Sequence, residues 1–473
     1  MIRVRFAPSP TGYIHLGNVR TALFNYLFAK REGGKFILRV EDTDQERSKQ
    51  EYREALAEDL LWMGIKWDEG PEVGGPHGPY QQSERLDTYQ KHLHKLIEEG
   101  KAYYCYVTEE ETEESKRIAR LERRPPRFDN RGRNFSPQEI EKRKAQGIKP
   151  TVRFKIENPI LEMDDLIRGH VKFNLDEMMG DFVIQRADGM PTFHLAVCVD
   201  DALMGITHVI RGEDHLSNTP KHILLLKAMG FVPPQYGHLS LIHGPGGEPL
   251  SKRLESVSVR EFRRKGYLPY GLANYIALLG WSPGDNREIF TWSELQQAFG
   301  LDHIGKSASI FDPHKLDWVN GEHLRKLSDE DFARLAFAYL KTQKKIEYDE
   351  ALVQKILPVF KDNIERFEQL PERLAVLSDD FAYENEATVK APEAKEIFQA
   401  ALEELPKLNF SNAAVYEEFI NTLKPKVKAK GKNLFMPIRL ALTGKEHGPE
   451  LKRIFPAFGL DRVKRRFERA YQS

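Results

Sequence analysis

The apolar positions of this chain change period repeatedly, and each change marks the limit of an element. Ile2, Val4 and Phe6 alternate with Arg3 and Arg5, the period of a short strand. Pro8, Pro10 and Gly12 then impose a rigid turn that no helix can cross. From Val19 the spacing becomes i, i+3, i+4, i+7 and i+8 through Ala22, Leu23, Tyr26 and Leu27. This predicts a helix that begins between His15 and Asn18 and stops at Gly33-Gly34. Lys35 to Val40 reads as a second strand, so the opening predicts a right-handed βαβ unit on a parallel sheet. A second helix carries Tyr52, Ala55, Leu56, Leu60 and Met63 on one side and ends at Gly64, with Asp44 as a candidate N-cap.

After a Gly- and Pro-rich loop from Gly70 to Tyr80 and a helical stretch from Leu86 to Glu99, the pattern shortens. Thr151 to Ile156 and His170 to Asn174 alternate as strands, which predicts an α+β insertion between two halves of a nucleotide-binding sheet. The sheet is expected to resume with the apolar run Met190 to Asp201 and with Thr207 to Asp214, the second delivering Arg211 at a strand's carboxyl end. From about residue 326 onward the chain is patterned almost wholly as helix, an all-helical region of its own.

A length of 473 residues is too great for one ordinary core and predicts two to four domains. No apolar run approaches the roughly 18 to 20 residues of a membrane span, and the N-terminus lacks a charged-then-apolar signal pattern, so the expected location is cytoplasmic, or organellar without a targeting segment. Lys+Arg and Asp+Glu balance at 71 each, which moves any case for nucleic acid to local patches. One such patch runs from Lys116 to Arg133 around Phe128, and two more lie at Lys424 to Lys432 and Arg462 to Arg469; each reads equally as a solvated face or as a surface for phosphates. Cys105 and Cys198 stand far apart with no Cys-x-x-Cys partner, which argues against a disulfide framework and a four-ligand zinc site.

Ligands of parallel sheets bind outside the carboxyl ends of the strands, which directs Arg5 to Ser9 and Glu41 to the same crevice as the helix start. The free N–H groups and dipole of that helix suit an anion, Gly17 permits close approach of a phosphate, and His15 adds a donor. Alone, His15-Leu-Gly17 reads as well as a helix cap. A second element, Glu248-Pro-Leu-Ser-Lys-Arg253, follows the turn Gly244-Pro-Gly-Gly247; alone it reads first as a solvated basic loop, but beside the helix start it brings Ser251, Lys252 and Arg253 on a loop able to close over a leaving pyrophosphate.

Phe6-Ala-Pro-Ser-Pro-Thr-Gly12, His15-Leu-Gly-Asn18, Glu41-Asp-Thr-Asp44, Val209-Ile-Arg-Gly-Glu-Asp214, Leu250-Ser-Lys-Arg253, Met436-Pro-Ile-Arg439 and Ala441-Leu-Thr-Gly444 occur in this order. Together they resemble the bacterial-type glutamyl-tRNA synthetases, class I aminoacyl-tRNA synthetases. The resemblance implies an α/β Rossmann catalytic domain in two halves (1–85 and 191–240), an α+β acceptor-binding insertion (86–190), a stem-contact domain (241–325) and a helical anticodon-binding region (326–473). It implies activation of L-glutamate by ATP with Mg2+, transfer to tRNA(Glu) with the range toward tRNA(Gln) left open, and a monomer. Glutamate would meet Arg5, Ala7, Ser9, Glu41, Phe193 and Arg211; ATP would meet His15, Gly17, Asp214, Leu250, Ser251 and Lys252, with His15 and Lys252 catalytic. Arg124, Arg127, Asn363, Arg366 and Lys432 are the candidate tRNA contacts, the selectivity position falling at Asn363 or, in a shifted register, at Arg366.

Several positions depart from the family pattern. Asn18 replaces the second histidine of the first signature, Pro249 the first lysine of the second, and Phe193 a common tyrosine. Cysteines that bind zinc in some relatives are missing, so no metal site and no zinc are expected. A glutaminyl enzyme would open Pro-Glu-Pro-Asn where this chain has Pro8-Ser-Pro-Thr11, and would end in β-barrels. A truncated relative that glutamylates a tRNA base would lack the helical region, a small-molecule adenylyltransferase would need neither insertion nor tail, and a non-catalytic tRNA-binding protein would be expected to have lost His15 or Lys252.

Overall fold

Strand β1 (Arg3–Phe6), helix α1 (Leu16–Arg31) and strand β2 (Lys35–Leu38) follow one another in the computed structural model, which describes residues 1–43, 48–248, 250, 257–412 and 414–473. β1 and β2 pair in parallel, with Arg3 opposite Lys35 and Phe6 opposite Leu38. The stripe Val19, Ala22, Leu23, Tyr26 and Leu27 is buried throughout, and each large apolar side chain so removed from water contributes about 1.5–3 kcal/mol. Beyond the helix, Gly33 takes φ 60°, a conformation that costs a glycine nothing. Helix α2 (Gln50–Trp62) buries Leu56 and Leu60, while its candidate cap Asp44 lies outside the described residues.

The chain divides into two compact units, Met1–Glu261 with Ala273–Asp312, and Phe262–Leu272 with Pro313–Ser473. In the first, α3 (Leu86–Glu98) leads to β3 (Ala102–Cys105), α4 (Glu109–Leu121), α5 (Pro137–Ala145) and β4 (Thr151–Phe154). The hairpin β5 (Ile160–Asp165) and β6 (Gly169–Asn174), a single turn α6 (Leu175–Met178) and β7 (Phe182–Gln185) follow. β4 is the middle strand between β3 and β7, antiparallel to both, so residues 100 to 185 are mixed α and β as the alternation predicts.

One element is not what the pattern suggested. The run Met190 to Asp201, expected as a strand, is helix α7 (Phe193–Leu203). Leu195, Ala196, Val197, Cys198 and Val199 are all buried, and an apolar run buried on every side carries no period to separate strand from helix. The helix delivers Asp200 and Asp201 into the interior. The expected strand does return as β8 (His208–Gly212); after α8 (Thr219–Ala228) it is paired in parallel by β9 (Gln235–Leu239), with Arg211 opposite His238. β8 also runs beside β1, where Thr207 N–H donates to the Arg3 carbonyl at 2.9 Å.

The second unit is built from helices including Asp329–Thr342, Pro392–Glu404, Val415–Leu423, Lys432–Thr443 and Leu451–Gln472, around a core that includes Phe332, Phe360, Phe398 and Phe419. Gly444 closes the fourth of these at φ 72°, where a Cβ would stand 2.4 Å from Phe381. No strand occurs among its described residues. No helix among the described residues is long and apolar enough to cross a membrane.

Candidate active site

The turn after β1 and the exit of β2 are tied together by backbone bonds. Arg39 N–H donates to the Phe6 carbonyl and Glu41 N–H to that of Pro8, both at 3.0 Å. Ser9 and Glu41 therefore reach the same side of the sheet. At α1 the cap is His15, with extended backbone (φ −98°, ψ 166°), and its Nδ1 accepts the Gly17 N–H at 3.2 Å. In the neutral ring that leaves the proton on Nε2, so the cap is also a donor. Burial lowers the His15 pKa against the pull of Asp214, which favours that neutral ring. A backbone bridge to Ser258 pins His15 from the other side.

A cleft of about 570 Å³ opens at these strand ends. Every described residue expected to meet glutamate lines it: Arg5, Ala7, Ser9, Glu41, Phe193 and Arg211. So do His15, Gly17, Asp214 and Leu250 from the nucleotide set. Ser251 and Lys252, with Pro249 and Arg253, lie outside the described residues. Among the tRNA candidates, Arg124 and Arg127 border a separate cavity of about 430 Å³ with Arg131, Asp129 and Asp176. Arg124 is paired with Glu122, and Arg127 stands 3.9 Å from Asp176. In the second unit Asn363 and Lys432 are exposed, whereas Arg366 is tied to Asp317 at 2.6 Å.

The electrostatics of the cleft are set by buried ions. Arg39, fully buried, meets Asp201 at 2.7 Å, Glu41 at 3.1 Å and Asp200 at 3.7 Å. Arg5 also reaches Asp201, at 3.2 Å. Glu41 is pushed up to about 7 by burial, against the pull of Arg39 and Arg5. Arg211 has a different setting. Its Nε donates to His238 Nε2 at 3.3 Å, one terminal nitrogen to His222 Nδ1 at 3.2 Å, and the other to Thr219 Oγ1 at 2.8 Å. No carboxylate among the described residues comes within ion-pair distance of it, and burial lowers its pKa to about 10.

Two titratable lining residues escaped the sequence reading, Arg20 and His215. Arg20, on the buried face of α1, donates to the carbonyls of Leu279 (3.1 Å) and Ser240, and leaves its Nε without a partner among the described residues. Its signal was present: a charge four residues from both Leu16 and Phe24, inside the apolar stripe. His215 lies beside Phe193 with ring centroids 5.9 Å apart, and nothing in its local pattern announces it.

Comparison with known proteins divides the chain at nearly the same place, except that the first match runs through Phe262–Leu272. Residues 1–318 match the family of class I tRNA synthetases (E and Q), catalytic domain, and residues 331–471 match an anticodon binding domain. The chain is 46% identical to a glutamate–tRNA ligase of Sulfurihydrogenibium sp. (strain YO3AOP1), over 99% of each chain. It is 45% identical to one of Carboxydothermus hydrogenoformans, over 98% of this chain and 99% of the relative. The crystal structure of a glutamate tRNA ligase from Elizabethkingia meningosepticum in complex with its amino acid superposes with a TM-score of 0.87 at 33% identity, covering 100% of this chain and 99% of that one. With a cleft of this build at the strand ends and these matches over its whole length, the chain belongs to the class I aminoacyl-tRNA synthetases, in the glutamate–tRNA ligase family.

Proposed function

We propose that the protein ligates L-glutamate to the 3′ end of tRNA(Glu) in two steps at this cleft. The observation that carries the reading is the pairing, in one cavity, of a helix start capped by His15 with Arg211, a buried cation unopposed by any described carboxylate. An α-carboxylate oxygen of glutamate attacks the α-phosphorus of ATP, the bond to the bridging oxygen breaks, and diphosphate leaves. No protein nucleophile is required, so the residues act by positioning and by stabilising charge. His15 Nε2–H and the first turn of α1 are suited to the phosphoryl oxygens; Gly17, Asp214 and Leu250 border the nucleotide, with Ser251 and Lys252 assigned to the diphosphate. Mg2+ enters with the triphosphate as part of that substrate.

Arg211 and Arg5 bind the carboxylates of glutamate, for which the planar guanidinium is well matched. Ser9, Ala7 and Phe193 border the chain, and Glu41 takes the ammonium, a role supported by its burial at the cleft and its proximity to Ser9 through the Pro8–Glu41 backbone bond. A terminal ribose hydroxyl of the tRNA then attacks the acyl carbon, loses its proton, and AMP departs. Residues 86–190 would receive the acceptor end, with Arg124 and Arg127 exchanging their carboxylates for phosphates, residues 241–325 the stem, and the helical region the anticodon. Zinc has no part in this reading: Cys105 is buried beside Val107 and Phe128, where a Cβ on Gly132 would meet its Sγ at 2.5 Å. The protein acts as a cytoplasmic monomer.

Charging extends to tRNA(Gln). Asn363, exposed, is the selectivity position, because Arg366 is occupied by Asp317 and Glu368. Incorporation of labelled glutamate into purified tRNA(Glu) and tRNA(Gln), with ATP, tests both statements. No charging of any tRNA by folded protein overturns the first; charging of tRNA(Glu) alone overturns the second.

A further inference from the structure

Asp165, at the end of β5, and His238, on β9, form a fully buried pair with Nδ1 and Oδ2 2.5 Å apart. The two oxygens of Asp165 have separate duties. Oδ1 accepts three backbone N–H groups, from Ile167 (2.9 Å), Arg168 (2.8 Å) and His238 itself (3.2 Å), and so shapes the turn and moors it to β9. Oδ2 has His238 Nδ1 as its side-chain partner. A turn needs only the first oxygen, and an asparagine would supply it. The second leaves a carboxylate fully buried against an imidazole, an arrangement whose desolvation must be offset by what it organises.

What it organises is the far side of the ring. With Nδ1–H given to Asp165, a neutral His238 has a bare Nε2, and that atom faces Arg211 Nε at 3.3 Å and Thr219 Oγ1 at 2.9 Å. Thr219 in turn accepts from Arg211 at 2.8 Å. Tyr236 stacks on the imidazole at 10° between planes and holds its tilt. Burial keeps the ring neutral against the pull of Asp165. Gly237 keeps the turn close: a Cβ there would stand 3.3 Å from Ile167.

We propose that Asp165 and His238 are positioning residues for glutamate binding: Asp165 sets the His238 tautomer, and the bare Nε2 fixes the Arg211 guanidinium without neutralising it. The inference rests on Arg211 being the substrate-carboxylate site. A carboxylate placed directly on Arg211 would orient it equally well and cancel its charge. Interposing a neutral ring keeps orientation and charge together.

Asp165→Asn isolates the effect, since its amide oxygen keeps the three backbone bonds while its NH2 faces Nδ1. The ring must then carry its proton on Nε2, where it opposes the Arg211 Nε–H. The expected result in full aminoacylation assays is a glutamate KM raised about tenfold to a hundredfold, with KM for ATP, affinity for tRNA and melting temperature little changed. On an Arg211→Lys background, which lacks the Nε–H, the same substitution should add almost nothing. Nitrogen-15 spectra of histidine-labelled protein should find the His238 proton on Nδ1 in the wild type and on Nε2 in the variant. Equal rises in KM for glutamate and ATP, additivity with Arg211→Lys, or a wild-type proton on Nε2 overturns the proposal; the last needs no variant to fold. If Arg211→Lys alone leaves the glutamate KM unchanged, the assignment of Arg211 fails instead.

Discussion

Arg39 and Arg211 are both buried guanidinium groups near one cleft, yet their surroundings differ in kind. Around Arg39 charge answers charge: Asp201, Glu41 and Asp200 lie within 3.7 Å, and Arg5 shares Asp201. Around Arg211 the hydrogen-bonding side chains are His238, His222 and Thr219, all uncharged. The first arrangement is balanced in charge, although Arg39 Nε, 3.7 Å from Asp200, has no hydrogen-bond partner among the described residues, and it ties the strand ends to α7. The second withholds part of its own stabilisation, which a bound carboxylate then supplies. A binding site needs both, a finished frame and an unfinished contact, and here they are assigned to different arginines.

The largest effect expected is on the frame. Arg39→Ala takes from Glu41 its ion-pair partner and leaves Asp201 and Asp200 with only Arg5 and Arg85, and should lower the unfolding free energy by about 3–5 kcal/mol in urea titrations; a loss below about 1 kcal/mol would mean the network is incidental. Arg211→Ala should behave in the opposite way, with little loss of stability and a glutamate KM raised a hundredfold or so, about 3 kcal/mol. Similar unfolding curves for the two variants would erase the distinction drawn between them.

Glu41 offers a finer cut because it belongs to the frame and lines the cleft. Its carboxyl is pushed up to about 7 from an ordinary value of 4.5, so between those pH values the folded protein holds a proton that the unfolded chain has released. Its contribution to stability is complete below about pH 4.5 and is lost as the pH rises through 7. Wild-type stability should therefore fall across that window relative to Glu41→Gln, by no more than about 3 kcal/mol; parallel curves would remove Glu41 from the titrating network. Phe193→Tyr should have the smallest effect. A hydroxyl restored beside the substrate would lower the glutamate KM by up to about tenfold, the value of one hydrogen bond of about 0.5–1.5 kcal/mol, and no change would mean that the missing hydroxyl has no counterpart here.

Much of this architecture is legible in the chain because its signals are local. The strand at Ile2 to Phe6, the stripe from Val19 to Leu27 and the helical region after residue 326 each rest on periodicities that survive burial on one face. Helix α7 was misread because it is buried on every face. The partners of Arg39 were not legible at all: Asp200 and Asp201 lie about 160 residues away, and no local pattern couples a strand end to a helix end across that distance. His238 and Asp165 were missed for the same reason, each being an unremarkable residue in its own segment. Lys252 is the reverse case, assigned by its motif and lying outside the described residues.

The chain passes between its two compact units three times, since Phe262–Leu272 belongs with Pro313–Ser473 while Ala273–Asp312 belongs with the N-terminal unit. Synthesis on the ribosome therefore cannot finish the first unit before beginning the second. When residue 312 emerges and the catalytic unit can close, Leu268 is already outside the ribosome and waits for a hydrophobic core whose other members, Phe332 and Leu370 among them, have yet to emerge. A fragment cut at residue 261 would lack part of the first unit, and one cut at 312 would carry an orphaned piece of the second. The order of folding during translation, and the choice of any separable fragment, are thus constrained by eleven residues that arrive ahead of their partners.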